Sequence, residues 1–293
     1  MNLSTVVIVA TKGRPQDVSN LLDALALQTV TPDKIVVSAC DHSDVAHDPK
    51  NIEVLFGFPG LTAQRNRALS LVRGKFDIIA FFDDDFIPSR FWIEHVRTLF
   101  AARPDVVCVT GQVLADGVRT GGIERSDGQA IIDRADLSEK MATISDYKMH
   151  DSQSAYGCNM AFRAKAIEHL TFDERLVLHG WLEDRDFSSQ ARTKGRTIWT
   201  DAVWGVHLGT TRGRSSGVRF GYSQVANPCY LAKKGSVTLS DACWLVFRAL
   251  AGNLIGGLLR KSNVDRPGRL RGNLKAMKDI IFGRRQPERA ANL

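Results

Sequence analysis

Three consecutive carboxylates, Asp83, Asp84 and Asp85, follow directly on the apolar run at residues 77–82. Adjacent acids repel one another and cost stability unless a cation or hydrogen-bond donors neutralise them. Hard carboxylate oxygens suit Mn2+ or Mg2+, ions that usually bind through one or two carboxylates together with substrate phosphates. The bland alternative is a solvated acidic turn. Position at a strand end favours the metal site, because ligands in an open α/β sheet gather where the strands finish.

Three further groups carry polar chemistry. Residues 180–187 place Glu183, Asp184 and Asp186 at a helix start anchored by Trp181, Leu182 and Phe187. Acids there complement the positive end of the helix dipole, or one of them takes a proton from an acceptor hydroxyl. Residues 60–67 bring Arg65, Asn66 and Arg67 to another helix start, suited either to a pyrophosphate or base, or to a solvated face. His207 closes the run 203–207 ahead of a glycine-containing loop, as a structural histidine or a ligand.

The elements that must position these groups alternate strand and helix, which predicts a largely parallel sheet. Strands are expected at 5–10, 34–39, 52–55, 77–82, 106–110, 158–162 and 197–199. Helical spacing follows Pro15 (Val18, Leu21, Leu22, Leu25), runs from Leu61 to a stop near Gly74, and starts at Pro88 and Ser89 with Phe91, Trp92, Val96, Leu99 and Phe100 inward. A further helix is expected at 182–192, and loops with short elements at 111–154. From about residue 240 the pattern becomes a helical tail: 245–259 is mostly apolar but holds Arg248, Asn253 and three glycines, and 270–282 is amphipathic.

Bulk properties narrow the class. Among 293 residues, 44% are hydrophobic and 24% charged, as in an ordinary globular protein. Five cysteines without a Cys-x-x-Cys pair imply reduced thiols in a cytoplasmic protein. No signal peptide is legible, and no run of about 18 uninterrupted apolar residues predicts a membrane span. The net charge of +7 belongs to the tail, where residues 242–293 hold 11 Lys or Arg against 3 Asp or Glu. That excess fits an anionic membrane surface, packing on the rest of the chain or a homo-oligomer contact; nucleic acid is not expected, because aromatics are not interleaved with the basic residues.

Taken in order, these elements resemble the family 2 glycosyltransferases of GT-A fold. The residues carrying the resemblance are Val9 through Pro15, with a Thr-x-x-Arg-Pro turn; Gly60 through Asn66, with Gln64 where alanine is usual; Phe81 through Asp85 and Pro88; Gly157 through Arg163; Phe172 through Glu174; and Gly180 through Phe187. The resemblance covers roughly residues 5–235. It implies an inverting transferase acting on a nucleoside-diphosphate sugar and a glycan or lipid-linked acceptor. The catalytic domain is expected at 1–239, its nucleotide-sugar half at about 1–111 and its acceptor half at about 112–239, with the basic tail at 240–293.

Site roles follow from the same resemblance. Thr11, Arg14, Arg65 and Asn66 are expected at the nucleotide sugar. Asp83 is expected at its ribose or base side and among the metal ligands, with Asp84 beside it. Asp85 and His207 complete the metal set. Asp184 is the expected general base, with Glu183 as its support or substitute. The family commonly has paired acids after its second strand; here Asp41 is the nearest candidate. A nucleotidyltransferase would be expected to show a glycine-rich phosphate loop, but the first turn has only Gly13. A non-catalytic binding protein would not need acids at both sites. The loops at 111–156 and 210–217 are expected to choose the acceptor.

Overall fold

The computed structural model describes residues 3–46, 52–118, 120–139, 144–210, 216–259, 264–284 and 286–293. The expected loop at 210–217 falls largely outside this set. The chain runs β1 (Thr5–Ala10), α1 (Pro15–Ala26), β2 (Lys34–Ala39), β3 (Ile52–Phe56), α2 (Leu61–Val72), β4 (Ile78–Asp83), β5 (Phe86–Pro88), α3 (Trp92–Ala102) and β6 (Val106–Asp116). It continues with α4 (Arg125–Leu137), β7 (Met149–Asp151), β8 (Asn159–Arg163), α5 (Glu183–Ala191), β9 (Arg196–His207), α6 (Gly217–Lys234), α7 (Leu239–Leu259) and α8 (Arg266–Ile281).

One sheet in the order β3-β2-β1-β4-β8-β6-β9-β5 organises the molecule, with β7 also paired to β9. The first four strands are parallel; β8 runs opposite to its neighbours β4 and β6, and β5 and β7 run opposite to β9. Helices cover both faces, so a strand such as β1 is buried throughout and alternates sides. Val7 and Val9 pack towards α1 and α3, against Leu21, Leu25, Trp92 and Val96. Val6 and Ile8 pack the other way with Leu69 and Val72 of α2 and Phe187 of α5. Each such side chain stabilises the fold by about 1.5–3 kcal/mol through burial.

Several expectations need adjusting. Pro88 lies in β5, not at a helix start, and α3 begins at Trp92. Proline suits this short strand at the end of the sheet, where little of the ladder needs its missing N–H. The segment expected to be loops contains α4, held down by Asp136, which accepts hydrogen bonds from Ser89 Oγ (2.7 Å) and Trp204 Nε1 (2.9 Å). β9 is twelve residues long because its irregular pairing with β6 lets it continue to β5.

The last helices form a group of their own making. α6 and α8 touch backbone to backbone: a Cβ on Gly221 would stand 2.0 Å from the Arg269 carbonyl oxygen, and one on Gly272 2.1 Å from that of Val218. Tyr222, Val225, Ala226 and Ala276 fill the contact. Lys234 at the end of α6 reaches Asp173 (2.8 Å) and Asp186 (2.7 Å), which fastens this group to the sheet side of the molecule.

Candidate active site

β1 and β4 are parallel with Ala10 opposite Asp83, so Thr11 and Asp84 emerge together just past the strand ends. Thr11 Oγ1 donates to Asp84 Oδ2 at 2.8 Å, and Arg14 Nη1 to Oδ1 at 2.8 Å. Burial pushes Asp84 up to about 7 against the pull of Arg14. Its lone pairs serve the first turn.

Asp85 turns the other way. The Phe86–His207 pairing of β5 with β9 sets His207 beside it, Nε2 lying 3.2 Å from Asp85 Oδ1 and 3.8 Å from Asp83 Oδ2. The Thr210 N–H donates to Asp85 Oδ2 at 2.7 Å. Burial works against its charge, but His207, Arg14 and that N–H hold Asp85 down at about 2. On the far side of the imidazole, Nδ1 is 3.3 Å from Asp116 Oδ1, while Tyr156 OH donates to Asp116 Oδ2 at 2.8 Å. Burial lowers the His207 pKa, yet Cys158, Asp116 and Asp85 carry it well above the ordinary imidazole value.

Donor atoms of Asp83, Asp85 and His207 lie within 4.8 Å of one another. Two carboxylates and an imidazole fit Mn2+ or Mg2+ with positions left for phosphate oxygens. Buried Asp85 Oδ1 faces His207 Nε2 at 3.2 Å in poor hydrogen-bond geometry, an arrangement in which one cation could take up both atoms. Asp116 supplies the partner that a ligating histidine needs on its other nitrogen. Sequence reading missed Asp116 and Tyr156: they lie in the weakly periodic stretch, and only the β6–β9 pairing of Asp116 with His207 reveals them.

Arg65 links the two acidic groups. Fully buried, it donates from Nη1 to Glu183 Oε1 (2.5 Å) and from Nη2 to Asp83 Oδ1 (2.8 Å) and the Gly157 carbonyl (2.9 Å). Phe81 and Phe172 flank its guanidinium, each ring centre 5.6 Å away. Next to it, Gln64 donates to the carbonyls of Thr11 (2.7 Å) and Ser38 (2.8 Å), closing the ends of β1 and β2. An alanine there would remove both of these bonds and leave Ser38 O only the Thr11 N–H at 3.1 Å.

The second acidic group sits where the backbone is strained. Leu178 and Leu182 have φ of +65° and +71°, conformations that cost a non-glycine residue about 1–3 kcal/mol each. Hydrogen bonds from Leu61 N to Leu178 O and from Asn227 Nδ2 to Trp181 O, both 2.8 Å, hold this loop from α2 and α6. Glu183 and Asp184 therefore enter the first turn of α5. Asp184 is half-buried and accepts from Gly157 N (2.9 Å) and Arg185 N (2.7 Å). Burial raises its pKa despite these donors. Glu183 is pushed up to about 8 by burial, opposed by Arg65, and its Oε2 has no hydrogen-bond partner. Asp186 points away into Lys234 and Ser236.

Both groups open onto one cavity of about 1060 Å³. Thr11, Arg14, all three of Asp83–Asp85, His207, Glu183 and Asp184 line it. Arg65 stands just behind the wall. Asn66 braces the loop after β8 instead, donating to Phe172 O and Glu174 Oε1 at 2.9 Å. Asp41 is exposed outside the lining and caps a short 3-10 helix through Ser43 N (2.9 Å) and Oγ (2.7 Å). The far wall, unforeseen from sequence, brings Trp181 from the loop before α5 together with Arg185 of α5, Arg219 and Phe220 of α6 and Arg269 of α8.

Residues 6–171 match the family model for glycosyl transferase family 2. No curated protein matches the chain. Among solved structures, GalNAc-T7 with UDP, GalNAc and Mn2+ superimposes with a TM-score of 0.58 at 13% identity, over 96% of this chain and 57% of that one. The chain thus spans little more than half of that neighbour. TarS 1–349 of S. aureus gives 0.55 at 14% identity, over 99% of this chain and 83% of that one. The shared architecture is the GT-A fold, a mostly parallel sheet flanked by helices, here followed by a helical C-terminal region.

Proposed function

The chain belongs to glycosyl transferase family 2, and on that premise we propose that it moves a sugar from a nucleoside-diphosphate donor to an acceptor hydroxyl by one inverting displacement. The observation that carries this reading is the Arg65 bridge: one buried guanidinium ties Asp83 at the donor end to Glu183, next to Asp184, across a shared cavity. Simple sugar binding needs no such pairing of a cation site with a carboxylate of raised pKa.

Asp83, Asp85 and His207 are the residues that would hold Mn2+ or Mg2+; such an ion, when bound, supplies positive charge that stabilises the departing diphosphate. Thr11, Arg14 and Asp84 shape the turn against which the nucleotide lies. Asp184 takes the proton of the acceptor hydroxyl, whose oxygen forms the new bond to the anomeric carbon as the bond to the diphosphate breaks with its electron pair. Glu183, held by Arg65, fixes the start of α5. The acceptor is a glycan or a lipid-linked saccharide in surface polysaccharide or glycoconjugate synthesis, and the enzyme works at the cytoplasmic face of a membrane. The catalytic part comprises residues 1–239 and the tail 240–293, with α8 completing the cavity wall.

Two measurements test this. Thermal shifts with a panel of nucleoside diphosphates, each with and without Mn2+, should single out one base, because binding stabilises by mass action; uridine diphosphate is the first probe, as in the GalNAc-T7 structure. Release of free nucleoside diphosphate from the matching donor sugar should then depend on the ion. Ion-independent release would remove the cation site from the reading.

A further inference from the structure

A helix of 21 mostly apolar residues normally ends in a protein core or in lipid. α7 has a mean hydropathy of 1.6 over its most apolar stretch, yet only 11% of that stretch is buried. At 1.5 Å per residue it is about 31 Å long, enough for a bilayer's hydrocarbon core. Its anchorage argues for another placement. Asn253, just past mid-helix and 1% exposed, donates to Gln224 Oε1 (2.9 Å) and Asn273 Oδ1 (2.8 Å), and receives Arg266 Nη1 at 3.3 Å. Asn273 in turn donates to the Gly221 carbonyl at 2.7 Å. This polar knot fixes α7 lengthwise against α6 and α8, and α6 is fastened to the sheet through Lys234. A spanning α7 would carry the Asn253 amide into hydrocarbon away from Gln224 and Asn273, where an unsatisfied polar group costs several kcal/mol.

The outward face has one character. Trp244, Phe247, Leu254, Ile255 and Leu258 recur at helical spacing and are 51–76% exposed, while Asn253 and Ala242 mark the opposite side. α8 adds Leu274, Met277 and Ile281, and Phe282 follows at its end, all exposed. Arg248, Arg271, Lys275, Lys278 and Arg284 are exposed among them. Of the acids on these helices, Asp241 is exposed at the start of α7, and Asp279 is buried against Tyr222 and Arg289. Apolar ridges rimmed by Arg and Lys match the boundary between anionic headgroups and acyl chains.

We infer that α7 and α8 form an in-plane docking surface for anionic phospholipid, with α7 lying in the membrane interface and not crossing it. The same α8 places Arg269 in the cavity wall beside Phe220 of α6, the Arg269 guanidinium 4.2 Å from that ring. Docking therefore brings the helical wall of the cavity to a membrane surface that holds a lipid-linked acceptor. This deepens the membrane location proposed above and stands apart from the transfer chemistry.

Flotation of the full chain tests the surface, using phosphatidylcholine vesicles with and without phosphatidylglycerol. Binding is expected only to the anionic vesicles, to weaken with salt, and to be reversed by alkaline carbonate. Each basic residue near such a surface contributes about five-fold, so Lys275→Glu with Lys278→Glu should lower partitioning by at least about 25-fold. Trp244→Asp with Leu258→Asp should abolish it, and brominated lipid should quench fluorescence that Trp244→Phe removes. Nucleoside diphosphate release in lipid-free solution should be unchanged in all of these variants, which separates this idea from the catalytic one. Carbonate-resistant binding would overturn in-plane docking in favour of a span. Absence of vesicle binding, with a dimer that the aspartate variants dissociate in sedimentation, would instead assign the face to a second copy of the chain.

Discussion

The two acidic clusters, at 83–85 and 183–186, are alike in charge and differ in what neutralises them. In each, one acid is spent on structure: Asp84 on Thr11 and Arg14, Asp186 on Lys234 and Ser236. The rest are presented to the cavity in different ways. Asp83 and Asp85 leave a strand end and face an imidazole, so a cation can share them. Asp184 lies at a helix start among backbone N–H groups, with burial raising its pKa. A carboxylate among donors and a hard ion's ligand set are not interchangeable, although the sequence writes both as runs of acids. The environment, not the residue type, assigns the chemistry.

Paired substitutions should break that contrast most visibly. Asp184→Asn is expected to reduce transfer by about 10²–10⁴-fold, the range of a general base, while metal-dependent nucleotide binding persists. Asp85→Asn should abolish transfer together with the Mn2+-dependent part of nucleotide binding, as chelation would in the unaltered chain. Single-turnover transfer and calorimetric titration of the nucleotide, run on both variants, read the two effects separately. Loss of nucleotide binding in Asp184→Asn would merge the two clusters into one site and defeat the assignment.

The bridge between the clusters comes next in size. Arg65→Met leaves Glu183 buried and removes the only cation that touches both it and Asp83 among the described residues. Where Glu183 is ionised, above about pH 8, breaking a buried pair in this way costs about 3–5 kcal/mol, to be read from urea denaturation at that pH. A cost below about 1 kcal/mol would mean that the guanidinium contributes no more than one ordinary hydrogen bond.

How far these clusters could be seen in advance depended on what kind of information fixes each residue. Asp83–Asp85 and Glu183–Asp184 were legible because each follows a local signal, an apolar strand or an aromatic-anchored helix start. The parallel order around β1, β2, β3 and β4 was legible because buried strands alternate with helices at regular spacing. Asp116 and Tyr156 carry no local signal; they meet His207 only through strand pairing between distant segments. α4 was hidden for a related reason: its exposed face is polar, and a few contacts such as Asp136 with Trp204 hold it. The length and exposure of α7 were obscured by Arg248, Asn253 and the glycines that interrupt its apolar run. Asn253 proved to be its anchor.

Titration offers a smaller and sharper test. Glu183 is raised from 4.5 to about 8 by burial. Between those values the unfolded chain has released this proton and the folded chain keeps it, so stability declines as pH rises through that window. The contribution is fully present below 4.5 and lost above about 8. Asp84, raised to about 7, acts with the same sign. Thermal midpoints followed by circular dichroism should fall across this range, and Glu183→Gln, with no proton to release, should flatten the slope and leave the share due to Asp84. An unchanged slope would place the Glu183 proton loss outside the window and make Arg65 the winner over burial.

The smallest effect concerns a third group of acids, the pair Asp41 and Asp44 after β2, where the same division recurs. Asp44 is buried and accepts from the backbone N–H groups of Gly13 (2.6 Å), Cys40 (2.9 Å) and Asp41 (3.0 Å), so it shapes the turn between β1 and the nucleotide end. Asp41 is exposed, and its Oδ1 already serves Ser43; those two hydrogen bonds hold its pKa below the usual carboxylate value. Asparagine caps a helix start about as well as aspartate. Asp41→Asn is therefore expected to leave nucleotide affinity unchanged in the same calorimetric titration. A base-dependent loss of affinity would show that Asp41 turns from its cap to the nucleotide when the ligand binds, and that exposure in the free protein marks a group held ready.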